Sequence, residues 1–443
     1  MYLSYVGEIF LEEYNRRKNT KFSAEDFFDN ILFPLFFDDE RHLLHVGNSP
    51  FFQRVSDKDI RDYGSKSKAQ LYKLKDKIKQ NVYSGSIYVG YRAEDIKATT
   101  SGQVTDLNMN ITPSVAYCSW IGAALGIGVN GGVTLSICDK DVLWSVYEGW
   151  NVYREFLNQT PNVKDKQIET WNGHWLCKRL NSGKSLTQDS EEHSIDTEKN
   201  NDILSIPTNH WLKIIFALSK KFNKSIHTAY VYSLAQTNQT IGFVNIYLSE
   251  ITELFEVRDK FFINQGEALL KDKDIMELET QFGFKDACMQ GAIGLRSLQP
   301  KQYQDYLPKN TNSSFKSDKV KKNLKNQSNF FIIKLWIIAM LNKEELIELA
   351  HSLADVLYRY ENDKENTSIR GKTVDNHAIS DLLEANSIVK FIEKLTNLIP
   401  NLSNRSEILK QTELEMVKMS RDNFLLFVAL TKFEYTYLKH KRS

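Results

Sequence analysis

The residues PSVAYCSWIGAALGIGVNGGVTLSI, Pro113–Ile137, run without a single formal charge. Thr112 before Pro113 has the chemistry of an N-cap followed by a first helical position, where a missing N–H costs nothing, so a helix is expected to start there. From Ile127 apolar residues fall at alternate positions: Ile127 and Val129, then Val133, Leu135 and Ile137. Asn130-Gly131-Gly132 between them accept the positive φ angles of a tight turn, which predicts two short strands joined as a hairpin. Beyond it Leu143, Val146, Tyr147, Trp150 and Leu157 recur at three- and four-residue spacings and predict one helical face packed on the hairpin.

The chain has 443 residues, a formal net charge of +1 and four cysteines, Cys118, Cys138, Cys177 and Cys288. That length suits two or three domains better than one core. A charge this near zero removes any global argument for nucleic acid, so a basic footprint has to be local. The cysteines contain no C-x-x-C pair, which argues against a zinc ribbon or a secreted disulfide framework and for a reducing cytoplasm. The N-terminus has acids inside its apolar pattern and does not read as a signal peptide. Val115–Ile137 is long enough to span a bilayer, but five glycines and Asn130 fit a buried helix and hairpin instead, so no membrane is expected.

Working outward, the apolar cluster Phe27, Phe28, Ile31, Leu32, Phe33, Leu35, Phe36 and Phe37 is interrupted by Pro34, which should kink or end a helix. Asn48-Ser49-Pro50 reads as a turn. Lys66–Lys79 holds six lysines against one acid, with Leu71, Leu74 and Ile78 on one face: a basic amphipathic helix. Ser86–Tyr91 alternates as a strand should. Trp171-Asn172-Gly173 reads as a turn, and Asn181–Asp202 loses its apolar residues as a linker does. Tyr230, Tyr232 and Leu234, then Ile241, Val244, Ile246 and Leu248, predict a strand pair followed by a helix through Leu254, Phe261 and Phe262. Past a second break, Pro300–Gln327, only helices are expected. Asn342 with Glu345 has the spacing of a capping box, and Leu346, Leu349, Leu353, Leu357 and Tyr360 share the face that follows. Leu382, Val389, Ile392, Leu395 and Ile399 predict a second helix and Leu414–Leu438 a third. The fold class is α+β, with a mixed N-terminal region of short antiparallel strands and helices and a C-terminal helical bundle. The boundaries are a mixed α/β domain over 1–180, a polar linker or insertion over 181–206, an α+β continuation over 207–300, a basic loop over 301–328 and the bundle over 329–443.

Several patterns carry chemistry elsewhere. Gly126-Ile127-Gly128-Val129-Asn130-Gly131 matches G-x-G-x-x-G, but that motif needs a strand before it and a helix after it, whereas this one lies in a hairpin. Gly183-Lys184-Ser185 and Gly371-Lys372-Thr373 lack the glycine a phosphate loop needs five residues earlier. Asp38, Asp39, Glu40, His42 and His45 concentrate ligand types at a helix end, where solvated side chains are the commoner reason. Asp95-Ile96-Lys97 has the acid-x-lysine ending of metal-dependent nucleases without an assignable second acid. Arg370 and His377 have the residue types of helical ribonucleases, but Gly371 predicts a loop. His174 and Cys177 lack an orienting third group. No catalytic residue, metal site or cofactor is assigned.

The remaining signal is electrostatic. Lys309, Lys316, Lys319, Lys321, Lys322 and Lys325 face one acid, Asp318, and the chain ends in Lys439-His440-Lys441-Arg442. With the Lys66–Lys79 helix these form local positive patches of the kind that bind phosphate backbones by counterion release, and Tyr and Trp side chains could stack bases. The candidate nucleic-acid contacts are Lys73, Lys77, Gln103, Lys319, Lys321 and Lys322.

This layout, with Thr100-Ser101-Gly102-Gln103 in a polar loop between apolar segments, resembles the large subunit of type I CRISPR effector complexes. The resemblance implies a non-catalytic role in antiviral defence: recognising a duplex beside the target and holding displaced DNA, with other protein subunits as partners. The alternatives are a nuclease centred on Asp95 and Lys97 or on Arg370 and His377, and a protein-interaction scaffold whose bundle binds a partner helix.

Overall fold

Thr112 accepts a hydrogen bond from the Val115 amide and Pro113 lies in the first turn, so the expected helix starts where the sequence places it. The computed structural model describes residues 2–38, 49–82, 84–91, 111–182, 195, 197–223, 225–234, 238–264, 267–303, 327–362, 376–398 and 406–442. The chain divides into two compact units, Met1–Ser249 with Phe284–Ile293, and Glu250–Gly283 with Gly294–Ser443. The stretch 207–300, expected as one continuation, is shared between them.

The first unit begins with helices α1 (Tyr2–Lys18), α2 (Ala24–Phe27), α3 (Phe33–Phe36), α4 (Asp57–Tyr63), α5 (Lys66–Lys79) and α6 (Pro113–Ala124). Every residue of α6 from Ala116 to Ala124 is buried, which its uncharged sequence permits. It meets α1 at backbone distance: a Cβ on Gly7 would lie 1.9 Å from the Cys118 carbonyl oxygen, and one on Gly122 would lie 1.9 Å from that of Leu3. Pro34 neither ends nor breaks its helix. A π turn, Phe28–Leu32, immediately precedes it and widens the helix where proline lacks an N–H and crowds the preceding turn. The expected strand at Ser86–Tyr91 is a series of turns instead. Its backbone is satisfied from α6: Trp120 Nε1 donates to the Ile87 carbonyl at 2.8 Å and the Val89 amide donates to Ser119 Oγ at 2.9 Å.

The hairpin forms as expected, β1 (Ile127–Val129) against β2 (Val133–Ile137), with Gly131 and Gly132 at φ +94° and +70°. Next come α7 (Lys140–Tyr147), α8 (Trp150–Gln159), α9 (Ile168–Asn181), β3 (Glu198–Asn200), β4 (Ile203–Ser205), α10 (Trp211–Lys221), β5 (Ile226–Leu234) and β6 (Asn238–Tyr247). The single aromatic helix expected after the hairpin is two, parted at Gly149, where a Cβ would lie 2.4 Å from the Trp175 ring. Trp171-Asn172-Gly173 is not a turn but the middle of α9. Asn172 Nδ2 donates to the Ala124 and Gly126 carbonyls at 2.8 Å each, and Gly173 lets the helix pack closely on β1, since a Cβ there would lie 2.8 Å from the Gly128 carbonyl oxygen. Part of the expected linker is a small β3–β4 ribbon, turned by Asn201 and Asp202 at positive φ.

The strand pair β5–β6 forms as expected and extends the first hairpin. The sheet order is β1-β2-β5-β6-β9, antiparallel except where β9 (Ala292–Ile293) runs parallel to β6 at Asn245 and Ile246. One face is the core, with Val129, Leu135, Ile137, Ala229, Val231, Val244 and Ile246 buried. The other carries Thr134, Ser136, Thr228, Tyr230, Tyr232, Phe243 and Asn245, as alternation along paired strands requires.

The second unit continues α11 (Leu248–Phe261), the helix expected after the strand pair, and adds a short ribbon β7 (Ile263–Asn264)–β8 (Glu267–Ala268) and α12 (Asp272–Met276). Helix α13 (Phe284–Met289) and β9 return to the first unit. The bundle comprises α14 (Gln327–Leu341), α15 (Glu344–Asn362), α16 (Asn376–Leu383), α17 (Ile388–Leu398), α18 (Ser406–Lys418) and α19 (Arg421–Arg442). Leu346, Leu349, Leu353, Leu357 and Tyr360 are buried on one face of α15 as expected. Asn342, however, closes α14 in the left-handed region at φ +44°, its amide bonded to the Ile338 carbonyl, instead of capping α15. The second expected helix is broken at Ala385-Asn386-Ser387 and leaves Val389 76 % exposed; the third is broken at Met419-Ser420, with Leu414 on the outside.

Candidate nucleic-acid interface

The best-defined basic surface among the described residues is built by α4 and α5. Ser56 and Asp59 form a capping box at the start of α4, Gly64 at φ +84° ends it, and Ser65 caps α5 through the Lys68 amide. Ala69, Leu74 and Ile78 are buried on the inner face of α5, and Gln70 beside them donates to the Phe51 and Gln53 carbonyls at 2.9 Å. These anchors turn the opposite face outward. There Tyr72, 51 % exposed, stacks on Tyr63, 40 % exposed, with ring centroids 4.5 Å apart and planes 25° from parallel. Lys68 stands one turn before Tyr72 and Lys79 two turns after it, both exposed.

The lysines of α5 are not equivalent. Lys73 pairs with Asp59 at 3.0 Å, and its hydrogen bond, with those from Ser56, holds the Asp59 carboxyl down at about 2. Lys75 pairs with Glu25 at 3.1 Å and with Asp29; burial opposes its charge, but these two partners outweigh it and raise its pKa. Lys73 is thus already engaged within the protein. Among the described residues no ion pair holds Lys68, Lys77 or Lys79. Gln103, Lys319, Lys321 and Lys322 lie outside the described residues, as do Asp39–His45, Asp95, Lys97, Arg370 and the side chain of His377. Lys439, in the basic C-terminus, pairs with Glu361 at 2.7 Å.

The expectation that tryptophans offer stacking surfaces is overturned. Trp120, Trp150, Trp171, Trp175, Trp211 and Trp336 are buried, and half-buried Trp144 is covered by Arg17 and Lys18. The exposed rings among the described residues are tyrosines and phenylalanines instead, Tyr5, Tyr63, Tyr72, Phe52 and Phe243. Tyr72 was legible as a polar-face residue of an amphipathic helix; its pairing with Tyr63 depends on a glycine turn that no periodicity reports.

The remaining chemical candidates become structural. Burial pushes the Cys177 thiol up to about 12, so it is no nucleophile at neutral pH, and His174 Nε2 is bonded to the Pro207 carbonyl at 2.5 Å. Of the glycines of G-x-G-x-x-G, Gly131 serves the hairpin turn and Gly126 and Gly128 serve packing: a Cβ on Gly128 would lie 3.0 Å from the Glu169 backbone. Among the described residues the Glu169 carboxyl is raised close to neutrality. Burial pushes it up to about 7 against a hydrogen bond from Thr134 that lowers it. Beside it, the Tyr232 hydroxyl is buried and has no hydrogen-bond partner among the described residues. Such a pair could move a proton, but Thr134 and Tyr232 leave no room above Gly126, where a Cβ would lie 2.6 Å from Thr134 Cγ2 and 2.9 Å from Tyr232 Oη. In the second unit, Leu278, Glu279, Pro300, Gln302, Ile332 and Ile333 border a cavity of about 150 Å³, small for a nucleotide. Among the described residues there is no group of three His, Cys, Asp or Glu placed to hold a metal ion, and no helix long and apolar enough to cross a membrane.

Compared with known protein families and curated proteins, the chain matches no family model and no curated relative.

Proposed function

We propose that the protein is a nucleic-acid-binding, non-catalytic subunit of a bacterial antiviral defence complex, similar in role to the large subunit of type I CRISPR effectors. In this reading it works in the cytoplasm beside other protein subunits. The observation that carries the proposal is the exposed stack of Tyr63, at the end of α4, on Tyr72 of α5, a helix whose Lys68, Lys77 and Lys79 are outside any described ion pair. Aromatic faces take bases of any sequence, and lysines beside them take phosphates with release of counterions. The contact set proposed from the fold is therefore Tyr63, Tyr72, Lys68, Lys77 and Lys79, with Lys73 as a structural partner of Asp59. The test is electrophoretic mobility of a labelled oligonucleotide, single-stranded or duplex, with wild type and with Lys68→Glu/Lys79→Glu. The proposal expects binding at low salt that the double variant loses. Equal binding by both proteins, or none by either, contradicts it.

A further inference from the structure

The dipeptide Asn-Gly occurs twice in the chain, at Asn130-Gly131 and at Asn172-Gly173. Asparagine is a labile residue, and most so before glycine, which has no side chain to keep its backbone nitrogen away from the asparagine side-chain carbonyl. The fold treats the two copies in opposite ways.

Asn172 is protected by burial, by hydrogen bonding and by backbone geometry. It lies in the middle of α9, 0 % exposed, with Nδ2 committed to the Ala124 and Gly126 carbonyls. The helix also directs the Gly173 amide to the carbonyl four residues earlier, away from the Asn172 side chain. Asn130 has the reverse setting. It begins the tip of the β1–β2 hairpin, followed by Gly131 and Gly132, both exposed and both at positive φ. Among the described residues the Gly131 amide has no backbone hydrogen-bond partner, and a Cβ on Gly131 or Gly132 would meet nothing within 4 Å, so the chain there has space to bend. Asn130 Oδ1 accepts the Trp211 amide at 3.2 Å, which draws electrons from Cγ and leaves Nδ2 free to depart.

We infer that Asn130 is a site of spontaneous deamidation and that Asn172 is not. Hydroxide removes the proton of the Gly131 amide, and that nitrogen attacks Asn130 Cγ. The new N–Cγ bond closes a five-membered imide as the Cγ–Nδ2 bond breaks, and Nδ2 takes a proton from water and leaves as ammonia. Water then opens the imide. Cleavage of the new N–Cγ bond gives aspartate, whereas cleavage of the original peptide bond gives isoaspartate, with the chain routed through Cβ and one methylene longer.

The two products differ in consequence because Asn130 ties the hairpin to the start of α10. Besides the Trp211 contact, its own amide donates to the Asn209 carbonyl at 3.0 Å. Aspartate keeps the acceptor for Trp211 and adds a negative charge at a helix N-terminus, where it is favourable. Isoaspartate lengthens the turn between the paired residues Val129 and Val133 and loosens that tie.

The experiment is incubation of the full chain in mildly alkaline buffer made with heavy-oxygen water, followed by digestion and peptide mass spectrometry. The oxygen label marks imides opened during the incubation, not during digestion. A parallel sample unfolded in guanidinium chloride reports the reactivity of the two dipeptides without the fold. In the folded protein Asn130 should convert at least about tenfold faster than Asn172, because reaction at Asn172 waits for α9 to open, and unfolding should erase that difference. Both aspartyl and isoaspartyl peptides are expected at Asn130. Wild type alone decides the matter, so no variant has to fold. An Asn130 that stays an amide in the folded protein while the unfolded chain converts overturns the proposal. Conversion of folded Asn172 at the rate of Asn130 overturns it too, as does a difference between the sites that persists on unfolding.

Discussion

At the level of single residues, Gly7 and Gly122 set the distance between α1 and α6. A methyl group at either position would have to displace a backbone carbonyl, not the end of a flexible side chain, so the helices would move apart and lose contact along their length. Gly7→Ala or Gly122→Ala should each lower stability by about 3 kcal/mol, read as a fall in the urea midpoint. Glu169 makes a prediction about pH. Its folded-state value, about 7, is raised above the ordinary 4.5, so the folded state holds that proton more tightly than the unfolded one. Its contribution favours folding below 4.5 and is lost as pH rises through about 7. Glu169→Gln should therefore stabilise the protein at pH 8 by about 2 kcal/mol, the full shift being discounted because part of the residue reaches solvent, and should flatten the pH profile between 5 and 8. A steeper profile in the variant would contradict the assignment.

At the level of elements, the signals legible in the sequence were the ones that act over a few residues. Thr112-Pro113 caps a helix and Asn130-Gly131-Gly132 turns a hairpin because their chemistry is local and needs no distant partner. The misreadings are residues whose conformation is decided from far away. Trp171-Asn172-Gly173 has turn composition, yet Asn172 stays helical because it supplies donors to two carbonyls at the end of α6 and start of β1, 48 and 46 residues away. Ser86–Tyr91 has strand alternation, yet its backbone finds partners on α6. In the bundle, apolar periodicity continued across Met419-Ser420 although the chain there leaves the helix, and Leu414 and Val417 ended outside. The candidate interface was half legible: the charge of α5 is plain, but which lysines Asp59, Glu25 and Asp29 neutralise is a tertiary matter. Bundle helices α14, α15 and α19 meet at buried Glu434, held below its ordinary value despite burial by His351 and Lys334, with His351 raised in return. The His351 contribution is complete below 6.5 and lost as pH rises through its raised value. The Glu434 contribution is complete above 4.5 and lost as pH falls below it. The pair should thus favour the bundle most between those limits, by less than about 1 kcal/mol because His351 is largely exposed. The measurement is the pH dependence of thermal unfolding for wild type and His351→Gln, whose curves should converge on either side of that window.

At the level of the whole molecule, the first unit is discontinuous in sequence. It takes back Phe284–Ile293 after the chain has entered the second unit, and with them β9 on the sheet edge and Phe284 against Trp211 at 5.7 Å. A fragment ending at Ser249 therefore lacks an edge strand and uncovers Trp211, and it should unfold with a clearly lower midpoint than the same fragment supplied with a linked Phe284–Ile293 segment. Equal midpoints would mean that the returning segment contributes nothing.

The central claim is that α5 presents bases with a ring and phosphates with lysines, two contacts that respond differently to salt. Fluorescence anisotropy of a labelled oligonucleotide, titrated at several salt concentrations with wild type, Tyr72→Ala and Lys68→Ala, separates them. Tyr72→Ala should lower affinity by about 1–3 kcal/mol with the salt slope unchanged, and Lys68→Ala should reduce that slope by about one. Wild-type binding with neither variant altered would contradict the interface, and an absence of wild-type binding at low salt would contradict the function proposed for the protein.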